Sequence, residues 1–101
     1  FAVEARWTDF RGQSGAGQAV ALTGDTGYFW FFRDSNVETV LKVLDGRSNN
    51  GNFWVFYGAL SNVDYDLVVT DCETGAVKTY LNRGRTFASV GDTMAFTGTS
   101  P

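Results

Sequence analysis

Two runs of aromatic residues constrain this chain more than anything else in it. Tyr28 to Phe32 reads YFWFF, and Phe53 to Tyr57 reads FWVFY. Bulky flat side chains in an unbroken row suit an extended strand and crowd a short helix. On a strand, successive side chains point to opposite faces. In the first run Tyr28, Trp30 and Phe32 therefore oppose Phe29 and Phe31. In the second, Phe53, Val55 and Tyr57 oppose Trp54 and Phe56. A sheet in a sandwich has one inner face. Aromatics on both sides of a strand need either a second cover, such as the stretch from Asp9 to Gln18 or the chain end, or an outer face that meets a partner.

The rest of the chain reads as strands as well. Phe1, Val3, Ala5 and Trp7 alternate with Ala2, Glu4, Arg6 and Thr8, the period of a half-buried strand. Asp9 to Gln18 carries Gly12, Gly15 and Gly17 and is expected to be an irregular loop. Ala19 to Leu22 is a short strand, and TGDTG at 23–27 is turn chemistry. NVETVLKVLDG at 36–46 is ambiguous. Val37, Val40, Leu41 and Leu44 fit helical spacing, and Ser35 with Glu38 mimics a capping box. Its short, β-branched run ending at Asp45-Gly46 favours a strand. GRSNNGN at 46–52 is a hairpin loop. Tyr65, Leu67 and Val69 form one face of a further strand, and Val77, Thr79 and Leu81 one face of the next, with Cys72 to Gly75 as the turn between them. Phe87 to Phe96 holds one or two last short strands around Gly91-Asp92. Turn signals every eight to twelve residues between seven or eight short strands predict an antiparallel immunoglobulin-like β-sandwich. With 101 residues, one domain is the natural count. It is placed at residues 1–96, with 97–101 as a frayed tail.

The pattern also predicts which aromatics face out. Glu38 and Lys42 share a face of their strand, and charges avoid a core, so that face is expected outward and Val37, Leu41 and Val43 inward. The run containing the β-branched Val55 is sent inward with Phe53 and Tyr57, and the wholly apolar pair Phe29 and Phe31 inward as well. Tyr28, Trp30, Phe32, Trp54 and Phe56 are then left on one outer face beside Val40 and Leu44. Tyr and Trp carry polar tips suited to a half-wet surface. These five are the candidate binding residues.

Several stretches carry a resemblance: WTDFRGQSGAGQAVALTGDTGYFWFF, NVETVLKVLDG, FWVFYGALSNVDYDLVVTD and ETGAVKTYLNRGRTFASVGDTMAF. Together they resemble an uncharacterised domain of bacterial secreted and cell-surface proteins, often placed near the C-terminus of a longer chain. The resemblance covers most of residues 1–96. It implies a secreted β-sandwich accessory domain and supplies no activity. The chain starts in mid-strand without an initiator Met and reads as a trimmed or matured fragment.

Composition removes several chemistries. There is no histidine, so no Ser-His-Asp or Cys-His nucleophile and no histidine-based metal site can be built. The single cysteine, Cys72, excludes an internal disulfide, a CxxC pair and a zinc knuckle. It is expected at an exposed turn, free or paired with a residue outside this stretch. The glycines at 12, 15 and 17 lack the spacing and the Gly-Lys-Ser/Thr of a phosphate loop. Asp64 and Asp66 share a strand face and read as solvated edge carboxylates with no pocket to raise one pKa. Asp34, Asn36 and Glu38 alternate as calcium ligands do, but Thr39 and Asp45 stand where an EF-hand needs Gly and Glu. That leaves only an irregular loop site for calcium. A net charge of −3, with Asp71 and Glu73 near the one loose group of Lys78, Arg83 and Arg85, argues against nucleic acid. No apolar run reaches the length of a membrane span. No enzyme activity, cofactor or metal is expected. The expected function is a non-catalytic binding or assembly module of a secreted bacterial protein, meeting a protein partner or its own copies through the aromatic face. The alternatives are a carbohydrate-binding module and a protease inhibitor presenting the Gly-rich loop 9–18.

Overall fold

The computed structural model describes residues 1–98 and is all-β. Nine strands run β1 (Ala2–Thr8), β2 (Ser14–Ala16), β3 (Gln18–Ala21), β4 (Thr26–Trp30), β5 (Thr39–Gly46), β6 (Asn52–Ala59), β7 (Asp64–Thr70), β8 (Val77–Asn82) and β9 (Ser89–Thr97), with one helical turn, α1 (Arg47–Asn50), between β5 and β6. They form two antiparallel sheets in the orders β2-β1-β7-β8 and β3-β4-β5-β6-β9. The ambiguous segment at 36–46 is β5: its β-branched residues pair with β6 along the whole of Thr39–Gly46.

The count of nine exceeds the seven or eight expected because the glycine-rich stretch 9–18 is not an irregular loop. Asp9 closes a tight turn, accepting the N–H groups of Arg11 and Gln13 on its Oδ1 (2.9 and 2.8 Å). Ser14–Ala16 then pairs with Thr8–Arg6. At Gly17 the chain leaves one sheet for the other, with its N–H donated to the Ala5 carbonyl at 2.7 Å. A Cβ there would lie 2.9 Å from the Phe31 ring and 3.0 Å from the Ala5 methyl, so only glycine passes this crossing. At the other end of the chain, Phe87 to Phe96 resolves into one strand. Gly91-Asp92 does not interrupt it, and the pairing shifts register between Phe53 and Val55. Thr97 belongs to β9, and the Gly98 N–H reaches the Gly51 carbonyl at 2.8 Å. The strand therefore runs into the stretch expected to fray, of which residues 99–101 lie outside those described.

The core follows the period-two pattern. Ala5 from β1, Phe29 and the adjoining Phe31, Leu41 from β5, Val55 and Tyr57 from β6, Tyr65, Leu67 and Val69 from β7 and Phe96 from β9 are all buried. Burying a residue such as Leu67 or Val55 completely contributes about 2 kcal/mol. Two polar ties cross this core. Tyr65 donates its hydroxyl to Thr39 Oγ1 at 3.0 Å, and Thr39 in turn reaches the Gly58 carbonyl at 3.2 Å. Burial pushes the Tyr65 phenol up to about 12. Asn82, fully buried, gives its amide N–H groups to the carbonyls of Val63 and Thr86 (2.9 Å each) and, more weakly, Ser61 (3.4 Å). Its Oδ1 accepts the Ala88 N–H at 2.9 Å.

One charge is not where the pattern put it. Lys42 is exposed, and Leu41 is buried as expected, but Glu38 is only 4% exposed. It sits one residue before β5, where its backbone is taken up by neighbours: its N–H goes to Phe29 and its carbonyl accepts from Leu60. Its carboxylate accepts a 2.6 Å hydrogen bond from Asn36 Nδ2, so the buried charge is partnered rather than displaced to solvent.

Candidate binding face

The outer face of the five-stranded sheet is built row by row from the strand register. Tyr28 of β4 lies beside Val40 of β5, which lies beside Gly58 of β6. The next row is Thr26, Lys42, Phe56 and Gly91, and the next pairs Leu44 with Trp54. Trp30 stands two residues beyond Tyr28, opposite Gln18. At about 3.3 Å per residue, Trp30 and Trp54 are roughly 20 Å apart along the strands. The aromatics therefore form a diagonal stripe, Trp30, Tyr28, Phe56 and Trp54, with Val40 and Lys42 in its middle.

Burial agrees with this placement. Phe29, Val55 and Tyr57 are buried, whereas Tyr28, Trp30, Trp54 and Phe56 are half-buried on the opposite side of the same strands. Phe32 does not join the stripe. It follows β4, is 48% exposed, and packs edge-on against Trp7 at 4.7 Å between ring centroids. Together with Phe31 it closes one end of the sandwich. The strand parity that placed it with Trp30 stops applying where the strand ends.

The geometry of the stripe depends on residues that the aromatic pattern alone does not reveal. The Trp54 indole occupies the space above Gly46: a Cβ there would fall 2.1 to 2.6 Å from three ring atoms. Its Nε1 donates to Asn50 Oδ1 of α1 at 2.9 Å. Phe56 turns an edge toward Gly91, where a Cβ would be 3.0 and 3.1 Å from two ring atoms, and its plane stands 81° from that of Trp54. The glycine after Asp45 signals a turn in the sequence, yet its role is to let a ring lie close against the sheet. Lys42 lies within the stripe and Asp25 near it. Hydrogen bonds from the Thr26 and Thr23 hydroxyls hold the Asp25 carboxyl below its usual range, helped by Lys42. Around Val40, Lys42, Phe56 and Gly91 the face forms a shallow open groove.

The other residues singled out in the sequence lie away from this face. Asp64 and Asp66 are on the outer face of the four-stranded sheet, where Asp66 stands across from Arg6 and Asp64 accepts the Gly84 N–H at 2.7 Å. Cys72 is exposed in the β7–β8 turn, and Gly75 takes the left-handed φ of +79° there. Lys78 faces Asp92 at 3.8 Å rather than grouping with Arg83 and Arg85. Among the described residues no three of Cys, Asp and Glu gather as a metal site would require, and no helix is long and apolar enough to cross a membrane. Of the stretch 9–18, only Asp9–Gln13 is free to project as a loop, the rest being committed to β2, Gly17 and β3. No protein-family model, curated protein or solved structure matches the chain.

Proposed function

We propose that this chain is a non-catalytic binding or assembly module, and that its outer aromatic stripe is the surface that meets another protein chain or a second copy of itself. The observation that carries this reading is the stripe itself: four large aromatics and two aliphatics lie on the side of the sheet away from the core. Half-exposed Trp and Tyr are the side chains that anchor protein interfaces. A carbohydrate is the second reading. The close seating of Trp54 on Gly46, with Asn50 alongside, favours it, because a ring held against the sheet offers an apolar plane to a sugar face. The setting in a secreted or cell-surface bacterial protein rests on the sequence resemblance alone. Two packed antiparallel sheets support an immunoglobulin-like kinship; the four-strand meander β3 to β6 is where the strand order departs from it.

The test compares Tyr28→Ala and Phe56→Ala with Glu4→Ala and Thr79→Ala, which lie on the other outer face. Sedimentation velocity measures self-association, and a glycan array measures sugar binding. A hot-spot aromatic contributes on the order of 2 kcal/mol, about thirtyfold in affinity. The first pair of variants should lose association by that factor with their fold intact, and the second pair should match the unaltered protein. Association that survives both aromatic substitutions would remove the stripe from the function.

A further inference from the structure

The inner side of β3 has no strand opposite it. Ala19 and Ala21 share parity with Phe29, which is buried, yet both alanines are exposed. The reason is the unequal width of the two sheets. On the edge of the four-stranded sheet, β2 covers only Arg6–Thr8 of β1. From Ala2 to Ala5 that edge has no strand partner, and its one backbone contact is the Gly17 N–H on the Ala5 carbonyl. Both backbone groups of a strand residue point to the same side, and the side alternates along the strand. The Ala5 carbonyl points to the bare edge, so the N–H and C=O of Val3 point there too. Between this edge and β3 opens a cleft of about 550 Å³, lined by Val3, Ala19, Ala21, Leu41, Val43 and Phe53.

We propose that this cleft accepts a strand: an extended segment of another protein pairs with β1 over Ala2–Ala5 and sets small apolar side chains, one at every second position, between Val3 and Ala21. Unpaired main-chain donors and acceptors in a row are matched by another main chain, and an apolar floor beside them selects alternate side chains. The free edge is about 13 Å long, four residues of strand. Asp25 stands at the mouth of the cleft, and no Lys or Arg side chain lines it, so the accepted segment carries a basic residue next to its apolar ones. A second copy offering its own β1 is disfavoured by shape, because the overhanging β3 of each copy would meet that of the other. The accepted segment is therefore a free extended tail and not the edge of another sheet. The cleft borders the stripe at Tyr28 and Leu44, while Trp30, Phe56 and Trp54 lie outside it.

The probe is a short synthetic peptide of alternating valine and threonine with lysine at both ends, titrated into the whole domain and followed by amide NMR and hydrogen exchange. The Val3 amide should shift and its exchange should slow. Ala21→Phe, at an exposed edge position, should weaken binding about tenfold or more by filling the cleft. Val3→Pro, which removes an N–H facing the vacant edge and not β7, should do the same. Phe56→Ala should leave peptide binding unchanged, which separates this site from the stripe. A Val3 amide indifferent to saturating peptide, or binding untouched by both variants, would overturn the proposal. So would a dimer that protects the Val3 amide with no peptide present.

Discussion

The two outer faces of this sandwich share one pleat and differ in what they carry. On the four-stranded sheet the outer rows are Glu4, Val68 and Thr79, then Arg6, Asp66 and Leu81, then Thr8 and Asp64. Arg6 and Asp66 face each other as opposite charges across strands, and the large apolar groups, Val68 and Leu81, stand singly in their rows as on any soluble surface. On the five-stranded sheet the corresponding positions hold Tyr28 with Val40, Phe56 with Lys42, and Trp54 with Leu44. Where the two sheets overlap, both inner faces are apolar and buried, so folding asks the same of both there. The two sheets therefore differ in what their outer faces carry.

The comparison can be broken most strongly within one strand. Leu67, with no exposed surface, and Asp66 beside it belong to the inner and outer faces of β7. Leu67→Ala should cost about 3 kcal/mol in urea unfolding, while Asp66→Ala should stay within about 0.5 kcal/mol. A comparable cost for the two would mean that the charged face carries hidden structural work and is no neutral reference for the aromatic one. Gly46→Ala sharpens the contrast from the other side. Its methyl would displace the Trp54 indole, so it should destabilise by about 1–3 kcal/mol and shift Trp fluorescence to longer wavelength as the ring lifts. An unchanged spectrum would show that the ring is not held against the sheet.

The smallest effect is a titration. Tyr65 ionises near 10.0 when unfolded and near 12 when folded, chiefly because burial disfavours the phenolate. The phenol pKa is raised by folding, so its contribution is complete below pH 10 and is lost as pH climbs from about 10 to about 12. Tyr57, raised by burial, and Tyr80, raised by burial and by its 2.7 Å bond to Asp92, act in the same direction. The urea midpoint should fall across that range, and Tyr65→Phe should flatten part of the fall while removing the bond to Thr39. A midpoint that holds steady to pH 12 would show that these phenols are not buried in solution.

Period-two reasoning found the inner set correctly in both aromatic strands, because a strand buried on one side leaves no other parity for Val55 and Tyr57 or for Phe29 and Phe31. It failed where strands end. Phe32 and Glu38 each sit just past a terminus, where the chain turns and parity no longer fixes direction. Glu38 also shows that a charge can sit inside when its carboxylate and both its backbone groups find partners, which requires Asn36, Phe29 and Leu60 to be known in space. The glycines at 15 and 17 read as looseness in the sequence. In the fold they are close approaches, Gly15 under the Trp7 indole and Gly17 against Phe31. Nothing local distinguishes those two uses of glycine, since the crowding comes from residues distant in the chain.

Asn82 has a consequence for motion. Val63, Thr86 and Ala88 lie in irregular connections at one end of the sandwich, outside any strand. Backbone in such segments ordinarily opens on its own and exchanges its amide protons quickly. Here the carbonyls of Val63 and Thr86 and the amide of Ala88 are all held by one buried side chain that belongs to β8. Neither connection can open without exposing that side chain, so the two open together and only when the end of β8 opens. The Ala88 amide, in a stretch with no regular structure, should keep its proton as long as the neighbouring sheet does.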